Sequence, residues 1–198
     1  FEFQTAARLA AELRALGYEV AEGVGGTGVV AVLENGAGPT VLFRADMDGL
    51  PVKEDTGLSY ASTATQVDAD GVEKPVMHAC GHDVHVTSMV GTARQLARMR
   101  DRWSGTVMFV GQPAEERVGG AKAMLEDGLY DRFGVPEAAL AFHVSAGNPA
   151  GKVQIEGGPI ASSSDSVDLT VYGIGAHGAS PHLGRDPVYI AAQIILAL

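Results

Sequence analysis

Gly105-Thr106-Val107-Met108-Phe109-Val110, followed after Gly111 by Gln112-Pro113-Ala114-Glu115-Glu116, is the stretch that decides the fold class. Its first half is a near-continuous apolar run, as in a strand buried on both faces. Its second half is polar and ends in two adjacent carboxylates. Two other segments share this plan. Thr40-Val41-Leu42-Phe43 runs into Arg44-Ala45-Asp46-Met47-Asp48, and Ala138-Ala139-Leu140-Ala141-Phe142 runs into His143. Both are expected to be strands, the latter buried. Gly28 to Leu33 is a further strand, closed by an Asn35-Gly36 turn signal.

Helical patterns lie between these strands. Thr5 to Leu16 carries Leu9, Leu13 and Leu16 at i, i+4 and i+7, and Gly17 suits its stop. Val84 to Arg100 carries a stripe of Val86, Val90, Ala93 and Ala97, with Arg94, Arg98 and Arg102 assigned to the wet side. Gly120 to Glu126 is a short helix. Strands alternating with helices predict an α/β domain with a mixed, largely parallel sheet flanked by helices. In open α/β sheets the site lies outside the carboxyl ends of the strands. Asp46, Glu115, Glu116 and His143 are therefore expected at one sheet edge. Residues 51–76 are polar and irregular and read as a surface excursion.

The pattern changes near residue 160. Ala161-Ser162-Ser163-Ser164 is linker-like, and Ser166 to Tyr172 alternates, with Val167, Leu169 and Val171 on one face. That predicts a half-buried strand, and a helix follows from Asp186. A domain boundary is placed at 158–164. Residues 1–160 form the incomplete N-terminal part of one domain, and 161–198 open a second.

Composition removes several function classes. A formal net charge of -10 argues against nucleic acid, whose phosphates need a basic surface. No run reaches the ~18 apolar residues of a membrane span. One cysteine excludes an intrachain disulfide framework and fits a reducing, cytoplasmic compartment. The chain starts without methionine and stops inside an apolar helical pattern, so it reads as a piece of a longer protein.

The chemistry concentrates in His78-Ala79-Cys80-Gly81-His82-Asp83-Val84-His85. A turn at Gly81 can bring Cys80 and His82 together, and thiolate with imidazole suits zinc or a related divalent ion. A buried inert cysteine beside a capping histidine is an equal reading. Glu115 and Glu116 can divide labour between metal binding and proton transfer, or simply open the next helix, where negative charge suits the dipole. His143 reads as a ligand or as a core histidine. Asp46 and Asp48 can orient ligands or cap a loop. A zinc deaminase fails for want of a Cys-x-x-Cys, and Gly23 to Gly28 lacks the P-loop lysine. A Cys80 nucleophile with His82 stays open, but it leaves the carboxylates and His143 without a role.

Arg44-Ala45-Asp46-Met47-Asp48-Gly49-Leu50-Pro51, the His78–His85 stretch and Gln112-Pro113-Ala114-Glu115-Glu116 together resemble the M20 peptidase family. The match is best to its aminoacylase, hippurate hydrolase and indole-acetyl-amino-acid hydrolase types. Gly175-Ala176-His177-Gly178-Ala179-Ser180-Pro181-His182 is similar to their lid-domain loop. The resemblance implies a zinc-exopeptidase-like catalytic domain and the start of an inserted lid or dimerisation domain. It implies two divalent ions, zinc or manganese, held by Cys80, His82, Glu116 and His143. It implies Glu115 as general base, Asp46 as a supporting aspartate, and His177 reaching the site of a partner subunit in a homodimer. Asp83 and His85 receive only supporting roles. The expected reaction is hydrolysis of an N-acyl or N-aroyl amino acid by a metal-activated water. A further ligand histidine is expected beyond residue 198. The alternative is a non-catalytic metal-binding or dimerising fragment.

Overall fold

Helix α1 (Phe3–Ala15) leads into strands β1 (Glu19–Val24), β2 (Gly28–Asn35) and β3 (Thr40–Asp46) of the computed structural model, which describes residues 1–159, 163, 165 and 167–198. A short hairpin, β4 (Thr65–Val67) and β5 (Glu73–Pro75), precedes helix α2 (His82–Arg98). Strand β6 (Gly105–Gln112), helices α3 (Gly120–Glu126) and α4 (Leu129–Phe133) and strand β7 (Ala138–Ala141) follow. The chain divides into two compact units, Phe1–Pro149 and Ala150–Leu198. The second holds helix α5 (Pro187–Ala197), whose N-terminus is capped by Asp186 through bonds from the Val188 and Tyr189 amides.

The main sheet of the first unit has the order β1-β2-β6-β3-β7. β2 pairs antiparallel with both β1 and β6, whereas β3 pairs parallel with both β6 and β7. The mixed α/β architecture predicted from the apolar runs is present. Period-two alternation divides the core into two layers. Val29, Ala31, Leu33 and Phe109 face Leu9 and Leu13 of α1 and Met89 and Ala93 of α2. Val30, Leu42, Met108 and Val110 face Met124 and Leu129 on the other side. Central β6 contributes to both layers, which is why its sequence reads as continuously apolar. Phe109 is fully buried, with the rings of Tyr18 and Phe43 at 5.4 and 5.8 Å. Burying such a ring contributes about 1.5–3 kcal/mol.

Several expectations need correction. β7 was expected to be buried but is exposed along its length, with Leu140 58% accessible. Among the described residues it pairs with β3 alone. Residues 167–172 were expected to form a half-buried strand. They form none, and Val167 and Leu169 are exposed. No ladder partner occurs for them among the described residues, and an alternating pattern without a partner makes no strand. The excursion at 51–76 contains the β4–β5 hairpin. α2 starts at His82, two residues before the expected Val84. Of the linker-like run, residues 161, 162 and 164 lie outside the described residues.

Candidate metal centre

Register places the site. Asp46 pairs with Gln112 at the parallel ends of β3 and β6. Ala141 of β7 pairs with Arg44, so His143 comes level with Asp46. The same edge receives the start of α2. Gly81 sits there at φ +82, a conformation an L side chain resists, and a Cβ on it would lie 2.5 Å from Val144 Cγ1. The turn it makes puts Cys80 just outside the helix and His82 on its first turn, fully buried.

Glu115 and Glu116 stand in a tight turn and not at the start of a helix, since α3 begins only at Gly120. Ala114 and Val118 flank them at φ 46 and 53, conformations that cost non-glycine residues of order 1–3 kcal/mol each. Gly120 closes the turn. A Cβ there would lie 1.5 Å from the Pro113 carbonyl, so only glycine lets the helix approach.

Hydrogen bonding fixes the histidine tautomers. His82 Nδ1 lies 3.0 Å from the Asp48 carbonyl oxygen, which can only accept. Nδ1 therefore carries the proton, and Nε2 presents a bare lone pair. That Nε2 is buried without a hydrogen-bond partner, 3.9 Å from Glu115 and 4.0 Å from Glu116, whose Oε1 is also buried and unpartnered. His143 repeats the arrangement. Its Nδ1 donates to the Val144 carbonyl at 2.7 Å, and its Nε2 faces Cys80 Sγ at 3.4 Å. Ligand atoms of Cys80, His82 and His143 converge within 4.8 Å, as do those of His82, Glu115 and Glu116. His82 belongs to both groups. His82 is the buried member of these groups, Cys80, Glu115 and Glu116 are half-buried and His143 is exposed. Imidazole lone pairs, a thiol and carboxylates facing one another at such a partly open corner are groups that a divalent cation satisfies.

The electrostatics agree with that fit. The Cys80 thiol is pushed up first by burial and then by the negative charges of Glu116, Glu115 and Asp46. A cation would reverse those interactions and favour the thiolate. Burial alone would raise the Asp46 carboxyl. The hydrogen bond from His85 and the charges of Arg44, His82 and His85 outweigh it, so the carboxyl ends below its usual range.

A profile of Peptidase family M20/M25/M40 matches residues 42–195. The chain belongs to this peptidase family. It is similar to the hippurate hydrolase of Campylobacter jejuni, at 41% identity over 198 residues, covering all of this chain and 49% of that protein. It is similar to the N-acetyl-L-cysteine deacetylase of Bacillus subtilis, at 37% over 198 residues, all of this chain and 45% of that protein. A solved structure of the Bacillus subtilis YXEP protein, described as a dinuclear metal binding peptidase from the M20 family, superposes with a TM-score of 0.63. It is 36% identical over 74% of this chain and 38% of its own. The M20 chain thus spans about half the length of the curated relatives it matches.

Within this M20 chain the structure brings together Cys80, His82, Glu115, Glu116, His143 and Asp46. His177 lies in the second unit, where its Nδ1 accepts the Ala179 amide at 3.1 Å. Sequence reasoning underrated Asp48. Its Oδ2 accepts the Glu116 amide at 3.0 Å, and its Oδ1 lies 3.3 Å from His82 Nδ1. The signal was present as the second acid of Asp46-Met47-Asp48, but the strand end alone did not show which acid holds the ligands. Arg44 and Gln112 were also passed over. Arg44 pairs with Asp46 at 2.8 Å and donates from Nε to Gln112 at 2.9 Å.

Proposed function

We propose that the full-length protein is a metal-dependent amidohydrolase that cleaves the amide bond of N-acyl or N-aroyl amino acids. The observation that carries this reading is the pair of histidines, His82 and His143, each donating from Nδ1 to a backbone carbonyl and offering Nε2 beside Cys80 and two carboxylates. Cys80, His82, Glu116 and His143 would hold two divalent cations, zinc or manganese, with a further ligand from beyond residue 198. Bound there, such ions supply Lewis-acid polarisation of the carbonyl and lower the pKa of a water. Glu115 is the most exposed acid of the cluster, 38% accessible at its side chain, as a group that meets solvent and substrate must be. It takes the proton of the attacking water and passes it to the leaving amine. Asp48 holds the Glu116 backbone and the His82 ring, and Asp46 keeps a negative charge beneath them. The names of the hippurate hydrolase and deacetylase relatives support a small N-acyl amino acid as substrate.

In the same reading, residues 1–160 belong to the catalytic domain and 161–198 open a lid domain through which the protein forms a homodimer. His177 stabilises the developing oxyanion in the partner's site. Sedimentation of the full-length protein as a monomer would remove that role. The single cysteine supports a cytoplasmic setting, and no described helix is long and apolar enough to cross a membrane.

One observation favours a second reading. Cys80 Sγ and His143 Nε2 are 3.4 Å apart, the spacing of a thiol nucleophile and its base. The raised thiol pKa speaks against it, because a nucleophilic cysteine needs the opposite shift. Hydrolysis of hippurate and N-acetyl amino acids, assayed with and without excess chelator, separates the two. The metal reading expects activity to vanish in chelator and to return with added divalent ion. The cysteine reading expects it to persist.

A further inference from the structure

His85 is fully buried, and neither the metal ligands nor the proton transfers need it. Its ligand atom falls within 4.8 Å of those of Asp46 and His82, which on distance alone makes a third ligand group. The hydrogen bonds say otherwise. The Val144 amide donates to His85 Nε2 at 2.9 Å. Nε2 is therefore an acceptor, and Nδ1 carries the proton that it donates to Asp46 Oδ1. Both ring nitrogens are engaged within the protein, and none is left for a cation.

The peptide that His85 grips matters for the site. The Val144 amide is bound by His85, and the carbonyl of the same residue accepts Nδ1 of His143 at 2.7 Å. The His85 and His143 rings also meet edge to face at 4.5 Å, and Phe142 packs on His85 at 5.3 Å. A chain of contacts thus runs from Arg44 through Asp46 and His85 to Val144 and ends at His143. Its anchor is β3, inside the sheet. Its far end is the segment just past β7, whose ladder among the described residues is to β3 alone. Nothing else among the described hydrogen bonds ties the Val144 amide.

We propose that His85 is a positioning residue for the metal centre. It clamps the Val144 peptide so that His143 keeps its Nδ1 proton and aims Nε2 at Cys80. Outer partners of this kind typically change metal affinity by about 10- to 100-fold. The inference rests on the metal reading above and is separable from it by experiment.

The test uses the full-length protein with His85→Gln, His85→Asn and His85→Phe. A glutamine amide oxygen reaches the Nε2 position and can still accept from Val144. Asparagine reaches only the Nδ1 position, and phenylalanine fills the volume with no acceptor. Two readouts are taken: zinc and manganese affinity by chelator competition, and hydrogen exchange at the Val144 amide of the metal-free protein. Amides of β6 serve as reference, so that a globally loosened variant is recognised. The expected result is affinity lowered by about 10- to 100-fold in the Asn and Phe variants, with rapid Val144 exchange, and both properties largely retained in Gln. If Phe fails to fold, the Gln and Asn variants decide between them. Parental affinity and parental Val144 protection in the Asn variant would overturn the inference and leave the metal reading standing. A parent that binds no divalent ion would remove both.

Discussion

Cys80 Sγ and His143 Nε2 lie 3.4 Å apart although 63 positions separate the two residues. One precedes α2 and the other follows β7, and only the parallel pairing of β7 on β3 brings them level. The contact joins a thiol whose pKa is pushed up by burial and then by the nearby carboxylates to an imidazole whose Nε2 is directed at it. A divalent ion held there by Cys80 and His143 would favour the thiolate over the thiol.

Cys80→Ser should therefore weaken metal binding. A hydroxyl is a poorer ligand than a thiolate for zinc. Elemental analysis of the full-length protein should show divalent metal in the parent and a clear loss in the variant. Equal metal content in both would exclude Cys80 as a ligand.

Glu115→Gln should abolish turnover while sparing the metal. The amide is nearly isosteric but cannot accept a proton, so kcat should fall by about 10²–10⁴ with little change in metal content. A variant that keeps the parental rate would move the base elsewhere.

Asp48→Ala removes the acceptor of the Glu116 amide and the carboxylate beside His82. The part-buried amide left without a partner should cost about 1 kcal/mol of stability, and metal affinity should fall by about 10- to 100-fold. Urea unfolding and chelator competition measure the two effects. An unchanged affinity would confine Asp48 to the fold.

Tyr18 gives a pH signature of the core. Burial pushes its hydroxyl up to about 12 against an opposing effect of Arg100, and it donates to the Ala93 carbonyl. The folded-state value lies above the unfolded one. The neutral hydroxyl is thus favoured by folding, and the stabilisation is whole below about pH 10 and lost as pH rises towards 12. The loss amounts to about 2–3 kcal/mol. Urea midpoints of the parent should fall more steeply than those of Tyr18→Phe across this window. Parallel pH profiles would show that Tyr18 does not titrate with unfolding.

Much of the fold was legible because burial on both faces leaves a local mark. The apolar run of β6 and the leucine spacing of α1 needed no knowledge of their neighbours. Strand β7, exposed among the described residues, looks the same in sequence as a buried one, because an apolar residue records a preference and not the presence of a covering layer. The 167–172 segment shows the converse, an alternating pattern that forms no strand without a ladder partner.

At the site, the sequence by itself determined the donor inventory: a thiol and histidines spaced around a glycine, and two acids at the end of a buried strand. Those are properties of residue types and short spacings. Only the tertiary structure decided which of them converge, because strand order and register set distances between residues far apart in the chain. It also decided the protonation pattern of the histidines. A ring nitrogen becomes donor or acceptor according to the group across from it. His82 and His143 face backbone carbonyls through Nδ1, which leaves the Nε2 of His82 unpartnered and turns that of His143 to the Cys80 thiol, whereas His85 faces an amide and a carboxylate and is closed on both sides.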